Sequence, residues 1–219
     1  KECGEMFKRV LTFLLAVAFL LALSTPALAE KVSRPFEYEG YTSPRYNGVR
    51  KISDYVEMED GVKLAVDVYI PDDGPPADGF PAVMEYTPYT RAYVDIKNGP
   101  IRRSLRKMVL GSKDPVIDVL SGGGRGEMVK KIISHGYVFV RTDMRGSGAS
   151  SGWKADFMPK LASDGGELVA WIARQPWSDG NVGMLGGSYT GYSQIVTAGK
   201  AGPALKCIAP MMVPLDGYN

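Results

Sequence analysis

The sequence predicts an α/β protein built on a mostly parallel sheet, and three observations carry that prediction. Residues 52–58 and 62–70 have strand character and flank a Glu59-Asp60-Gly61 turn, so they read as an antiparallel pair. Downstream the pattern alternates between helix and strand, as crossover units do. The later strands are short continuous apolar runs, such as Val182-Gly183-Met184-Leu185, of the kind covered on both faces. Helix signals after Asp164 disfavour an all-β sandwich.

The first segment is a targeting signal. Lys8 and Arg9 precede an apolar run over residues 10–23, followed by Ser24-Thr25-Pro26 and a small-x-small site at Ala27-Leu28-Ala29. The run is short for a bilayer span, and its flanks are those of a secretory signal peptide over residues 1–29, which predicts a secreted or periplasmic protein. A buried core helix and an uncleaved anchor are the competing readings. Cleavage after Ala29 removes Cys3 and leaves Cys207, so a disulfide scaffold within the chain is not expected.

Residues 30–51 form an extended arm in this reading, punctuated by Pro35, Pro44, Asn47 and Gly48, with tyrosines that pack over a domain edge. The main, partial α/β domain runs over residues 52–219 in this reading. After the first two strands, residues 71–79 (PDDGPPADG) are a loop and residues 81–86 a short apolar strand that ends at Thr87-Pro88-Tyr89. A long polar and basic stretch follows over 90–124, with a helical candidate at 102–110 and a Gly122-Gly123-Gly124 run. Residues 126–134 suit a helix and 137–141 a buried strand, with a glycine-rich turn from Asp143 to Gly148. Asp164 caps a helix through Ile172, which Pro176 terminates. Residues 182–185 are a strand, 190–198 a helix and 205–211 a further strand.

Composition narrows the chemistry. The 26 basic and 24 acidic side chains are interspersed and leave a net charge of +2, which gives no nucleic-acid footprint. Hydrophobic content of 45% is globular, and 26 glycines without a three-residue period exclude collagen. With two cysteines and one histidine no His- or Cys-rich metal site is available, and no cofactor is predicted. Any mechanism needing histidine must use His135 or one outside this chain.

Gly186-Gly187-Ser188-Tyr189-Thr190-Gly191 is the sharpest local signal, because it lies between a predicted strand and a predicted helix. A nucleophile elbow belongs there: a tight turn lifts a serine hydroxyl above the sheet edge, and the helix N-terminus presents backbone N–H groups. The spacing departs from G-x-S-x-G, since Thr190 holds the place of the second glycine and Gly191 follows it. A purely structural Gly/Ser turn is the other reading. A phosphate loop is disfavoured because no lysine follows the glycines.

Several segments together resemble the serine hydrolase family of X-prolyl dipeptidyl peptidases, cocaine esterase and α-amino-acid ester hydrolases. They are Met58-Glu59-Asp60-Gly61-Val62-Lys63-Leu64, Thr87-Pro88-Tyr89-Thr90-Arg91, Asp143-Met144-Arg145-Gly146-Ser147-Gly148-Ala149-Ser150, Trp171-Ile172-Ala173-Arg174-Gln175-Pro176-Trp177-Ser178 and the Ser188 elbow. All five occur in family order, and the family's G-x-S-Y-x-G accounts for the displaced glycine.

The resemblance implies an α/β-hydrolase fold, truncated before the cap and the last triad members. It implies that Ser188 is the acyl-transfer nucleophile, with the Tyr189 backbone N–H and the Tyr89 hydroxyl as oxyanion-hole donors. A rim aromatic is the alternative for Tyr89. The implied activity is cleavage of esters, amides or short peptides, of X-prolyl dipeptidyl-peptidase or acyl-esterase type. Substrate identity and oligomeric state are not legible, and neither nucleic acid nor stable membrane insertion after signal cleavage is expected.

The remaining polar residues read as structural. Asp143 and Arg145 suit a loop-holding ion pair, and Asp164 a helix cap or loop anchor rather than a triad acid. Asp60 and Asp179 precede glycine and read as turn residues. Trp153, Trp171 and Trp177 read as packing residues, and Cys207 as an inert core thiol. Arg91, Arg102, Arg103, Arg106 and Lys107 read as a solvated basic face that could border the substrate entrance. His135 lies between a helix and a strand, at the amino-terminal edge of the sheet, and precedes the serine. After Ser188 the chain holds one carboxylate, Asp216, and no histidine. The expectation is therefore an amino-terminal part of a longer hydrolase, inactive alone. Alternatives are a non-catalytic binding protein with a degenerate hydrolase fold, or a Ser–Lys hydrolase. Ser188-x-x-Gly191 speaks against the last.

Overall fold

The computed structural model describes residues 43–94, 116–121, 123–154 and 157–213. The expected signal peptide, the arm before residue 43, the 102–110 helix and Asp216 lie outside these residues. Among the described residues no helix is long and apolar enough to cross a membrane.

Among the described residues six strands form one sheet in the order β1-β2-β6-β3-β7-β8. β1 (Val49–Glu57) and β2 (Lys63–Pro71) are the expected antiparallel pair, joined through Gly61 at φ 81°. β1 starts three residues earlier than the sequence suggests, because Val49, Arg50 and Lys51 pair with Pro71, Ile70 and Tyr69. It is an edge strand, exposed along most of its length and rich in charge, which discourages further pairing. β2 is buried beyond its first residue and lies antiparallel to β6 (Val138–Asp143). From β6 onward the sheet is parallel through β3 (Phe80–Thr87), β7 (Ser178–Gly187) and β8 (Leu205–Met211).

Three helices among the described residues provide the crossovers. α1 (Gly123–Ser134) sets Val129 and Ile133 against Tyr69, Val119 and Phe139 on one face. α2 (Phe157–Ala173) sets Leu161, Leu168, Val169 and Ile172 into the larger cluster on the other face, with Val66, Met84, Val140 and Val182. Burying each such side chain stabilises the fold by about 1.5–3 kcal/mol. α3 (Tyr189–Ala198) packs beside α2, and a Cβ on Gly165 of α2 would overlap the Thr197 side chain of α3. Because α1 and α3 cover opposite faces, the chain leaves the adjacent ends of β3 and β7 in different directions. Such a divergence opens a crevice at the carboxyl edge of a parallel sheet.

Several expectations change. A two-stranded ribbon, β4 (Ala92–Val94) with β5 (Val116–Asp118), lies within the stretch read as polar and basic. α2 begins seven residues before Asp164, with Pro159 tolerated in its first turn, where its missing N–H is not needed. Asp164 is therefore inside the helix and does not cap it. Cys207 is exposed, because β8 is the last strand of the sheet among the described residues and turns that face outward. Trp153 is 79% exposed and packs no core, whereas Trp171 and Trp177 meet edge to face, with Trp177 buried.

Candidate active site

β7 ends in Gly186-Gly187, α3 begins at Tyr189, and Ser188 alone forms the turn, at φ 56° and ψ −124°. Left-handed backbone of this kind disfavours any side chain, and holding a serine there costs on the order of 1–3 kcal/mol. The surroundings impose it. The Ser188 N–H donates to Met211 O of β8 at 2.9 Å, and the Ser188 carbonyl accepts from Gly191 N–H at 2.9 Å and Tyr192 N–H at 3.0 Å. Thr190 Oγ1 donates to Gly187 O at 2.8 Å. The result is an exposed Ser188 at the carboxyl edge of the sheet.

The glycine spacing has a physical cause. A Cβ on Gly186 would overlap Thr190 Oγ1 and come within 2.7 Å of Thr190 Cβ. A Cβ on Gly191 would overlap Val213 Cγ2 and reach 2.9 Å from Met211 O. The close approach of the helix to β8 therefore falls at position 191. Position 190 accommodates a buried threonine whose hydroxyl has a carbonyl partner.

Tyr89 follows β3, the strand next to β7, so the two loops issue from neighbouring strand ends. Its ring is 55% exposed, and its backbone N–H donates to Thr87 Oγ1 at 3.0 Å. Tyr189 is partly buried and packs edge to face on Tyr192, with centroids 5.9 Å apart. Burial, then the phenols of Tyr192 and Tyr89, push the Tyr189 phenol above its ordinary range. Thr90, Ser188 and Met212 are the non-glycine residues of positive φ among those described, and they follow β3, β7 and β8 respectively.

Beneath the Tyr89 loop lies an ion network that sequence reasoning missed. Arg91 Nη1 donates to Asp67 Oδ1 at 2.7 Å, and the Arg91 N–H and Nε both face the Asp143 carboxylate. Lys51 bridges Asp67 and Asp118 at 3.0 and 2.9 Å. Burial first, and the charge of Asp67 in part, raise the Asp143 carboxyl above its ordinary range. Arg91 is therefore mostly buried and paired, not part of a solvated face. Asp143 and Arg145 do not pair with each other. Arg145 makes a two-pronged contact with Asp164, Nε to Oδ2 at 2.9 Å and Nη2 to Oδ1 at 2.7 Å, and also meets Asp60. Asp164 thus anchors the loop after β6. Asp179 serves its turn through Asn181 N–H.

His135 ends α1 at the opposite edge of the sheet, with Nδ1 2.7 Å from Lys131 O. Its position rules out a bond to Ser188 in this arrangement. Ser193 and Gln194 also escaped sequence reasoning. Ser193 Oγ donates to Tyr86 O at 3.1 Å, tying α3 to the strand that leads to Tyr89. The available signal was the polar series 190, 193, 194, 197, whose helical spacing on a short helix marks one face.

The sheet order, the crossovers and a serine held at positive φ between strand and helix define an α/β-hydrolase fold. The chain belongs to the X-Pro dipeptidyl-peptidase (S15) family, whose model matches residues 60–219. It is 38% identical over 192 residues to a Mycobacterium bovis protein named "Putative serine esterase Mb1866c", covering 85% of this chain and 28% of that protein. It is 34% identical over 167 residues to the cocaine esterase of a Rhodococcus species, covering 75% of this chain and 24% of that protein. A CocE/NonD family hydrolase from Staphylococcus aureus superposes with a TM-score of 0.50 at 26% identity, over 73% of this chain and 27% of its own. The chain thus spans about a quarter of the length of these relatives.

Proposed function

We propose that the full-length protein is a serine hydrolase that cleaves esters or amides by acyl transfer through Ser188. The observation that carries this reading is the φ 56° conformation of Ser188 between β7 and α3, which presents an exposed hydroxyl at a strand end. The serine oxygen attacks the substrate carbonyl carbon while its proton passes to a histidine. Negative charge gathers on the carbonyl oxygen, and the Tyr189 backbone N–H with the Tyr89 hydroxyl stabilise it, each by roughly 3 kcal/mol. The leaving group departs with the proton, and water then releases the acyl group from Ser188.

The histidine and its orienting carboxylate come from sequence beyond these 219 residues in this proposal. His135 supports that by its place at the wrong edge, and so does the quarter of the relatives' length that the chain spans. The 219 residues alone then show little or no turnover. The name of the matched family and those of the relatives support a dipeptide amide or an acyl ester as substrate. Residues 1–29 act as a cleaved leader to a secreted or periplasmic location. A fluorophosphonate probe tests the nucleophile. It labels the full-length protein, and Ser188→Ala abolishes the labelling. Labelling that persists in Ser188→Ala refutes the assignment, and a full-length protein that never labels favours a non-catalytic binding protein on this fold.

A further inference from the structure

α3 inverts the usual rule for a helix packed on a sheet. Its fully buried side chains include Thr190, Ser193, Gln194 and Thr197, spaced i, i+3, i+4 and i+7 along one face. Most buried polar side chains find a hydrogen-bond partner, and on this face Thr197 Oγ1 is the exception. Gln194 meets all of its own in a specific way. Nε2 donates to Gly186 O at 3.2 Å and to Thr190 O at 2.8 Å, and Oε1 accepts from Ala209 N–H at 2.9 Å. The reversed amide would place its NH2 against the Ala209 N–H and its oxygen against two carbonyls, so one orientation alone is satisfied.

Those three partners belong to the strand before Ser188, the helix after it and the strand beside it. Among the described residues the turn is also joined to β8 by the ladder through Gly186 and Gly187, by the Ser188 N–H to Met211 O bond and by the close packing of Gly187 and Gly191.

We propose that Gln194 is a positioning residue for the nucleophile: its carboxamide joins β7, α3 and β8 into one hydrogen-bonded unit that keeps Ser188 at positive φ. The proposal rests on the reading of Ser188 as nucleophile. Gln194 touches no substrate. It acts by preventing the turn from relaxing, which would swing the serine oxygen away from its line of attack. Ser193 is its neighbour on the same face, and through Tyr86 O it holds α3 to the strand that carries the Tyr89 loop.

The test uses the full-length protein and the second-order rate of fluorophosphonate labelling, with thermal midpoint measured in parallel. Gln194→Leu keeps the volume and removes all three bonds; its labelling rate falls by at least about tenfold while the protein remains folded. Gln194→Glu separates positioning from general softening. A protonated glutamic acid donates to one carbonyl and accepts from Ala209 N–H, whereas the carboxylate can donate to neither. This variant therefore labels within about threefold of the unsubstituted protein at pH 6.5 and loses rate progressively toward pH 9, a limb that the unsubstituted protein lacks. Labelling of a folded Gln194→Leu at the unsubstituted rate overturns the proposal. If that variant does not fold, a Gln194→Glu profile parallel to that of the unsubstituted protein overturns it instead. Failure of the unsubstituted protein to label removes the nucleophile assignment itself, and this inference with it.

Discussion

The backbone N–H of Arg91 donates to the carboxylate of Asp143, and the Arg91 side chain returns to the same carboxylate through Nε at 3.5 Å. Arg91 stands two residues after Tyr89, and Asp143 ends the neighbouring strand β6. The turn bearing Tyr89 is thus fastened from below, with Arg91 Nη1 reaching on to Asp67.

Removing that fastening is expected to be severe. Arg91→Met leaves the buried Asp67 and Asp143 carboxylates without the guanidinium they share, a loss on the order of 3–5 kcal/mol. Urea unfolding of the variant checks the figure. A loss under about 1 kcal/mol would mean that Lys51 alone compensates Asp67.

Asp164→Asn distinguishes an anchor from a catalytic acid. Arg145 and Asp164 are 3% and 1% exposed at the side chain, so stability falls by about 2–4 kcal/mol. Ser188 labelling in the full-length protein persists, measured at a temperature where the variant is folded. Selective loss of labelling at full stability would show that Asp164 takes part in the chemistry.

Acid should weaken the Asp60 turn in a defined direction. The hydrogen bond from Arg145 is the largest influence on Asp60 and holds its carboxyl below the ordinary 3.8. A lowered value in the fold gives stability that is present above 3.8 and is lost as pH falls through the lowered value. The stability gap between the unsubstituted protein and Asp60→Asn therefore closes as pH drops from about 5 to about 2.5. Unfolding midpoints across that series measure it; a gap that widens toward acid contradicts the assignment.

Gly191→Ala tests the spacing of the elbow. The added methyl overlaps Val213 and crowds Met211 O, so α3 must move away from β8 at a cost of about 1–3 kcal/mol. The Ser188 labelling rate in the full-length protein falls with it. Gly180→Ala is a useful contrast, since nothing lies within 4 Å of its Cβ position and only backbone strain at φ 85° opposes it.

The sheet and the elbow were legible because their signals are local. Alternation over 62–70 and the apolar run at 182–185 identify strands without knowledge of their partners. Ser188 between a strand and a helix is equally local. What escaped depends on residues far apart in sequence. Arg91 looked like one of several surface cations, because nothing near it shows that Asp67 and Asp143 converge beneath it. Asp164 read as a helix cap or a loop anchor, and only the fold, by setting Arg145 opposite, decides for the anchor. Ribbon β4–β5 joins two three-residue strands whose pairing spans the stretch between them, so no short window contains it. Gln194 was passed over because a polar residue on a short helix ordinarily marks the solvent side.

Thr90, Ser188 and Met212 place three reluctant backbones at the carboxyl edge of the sheet, Ser188 and Met212 immediately beyond β7 and β8 and Thr90 three residues beyond β3. The stiffness that restrains them belongs to the sheet and helices behind, so the rim can slacken before the interior melts. On gradual heating the rim is then expected to lose its geometry ahead of the cooperative transition, and fluorophosphonate labelling of the full-length protein, followed alongside its unfolding, checks that order. Reinforcing the interior would then raise the melting point and leave the temperature of inactivation nearly where it was.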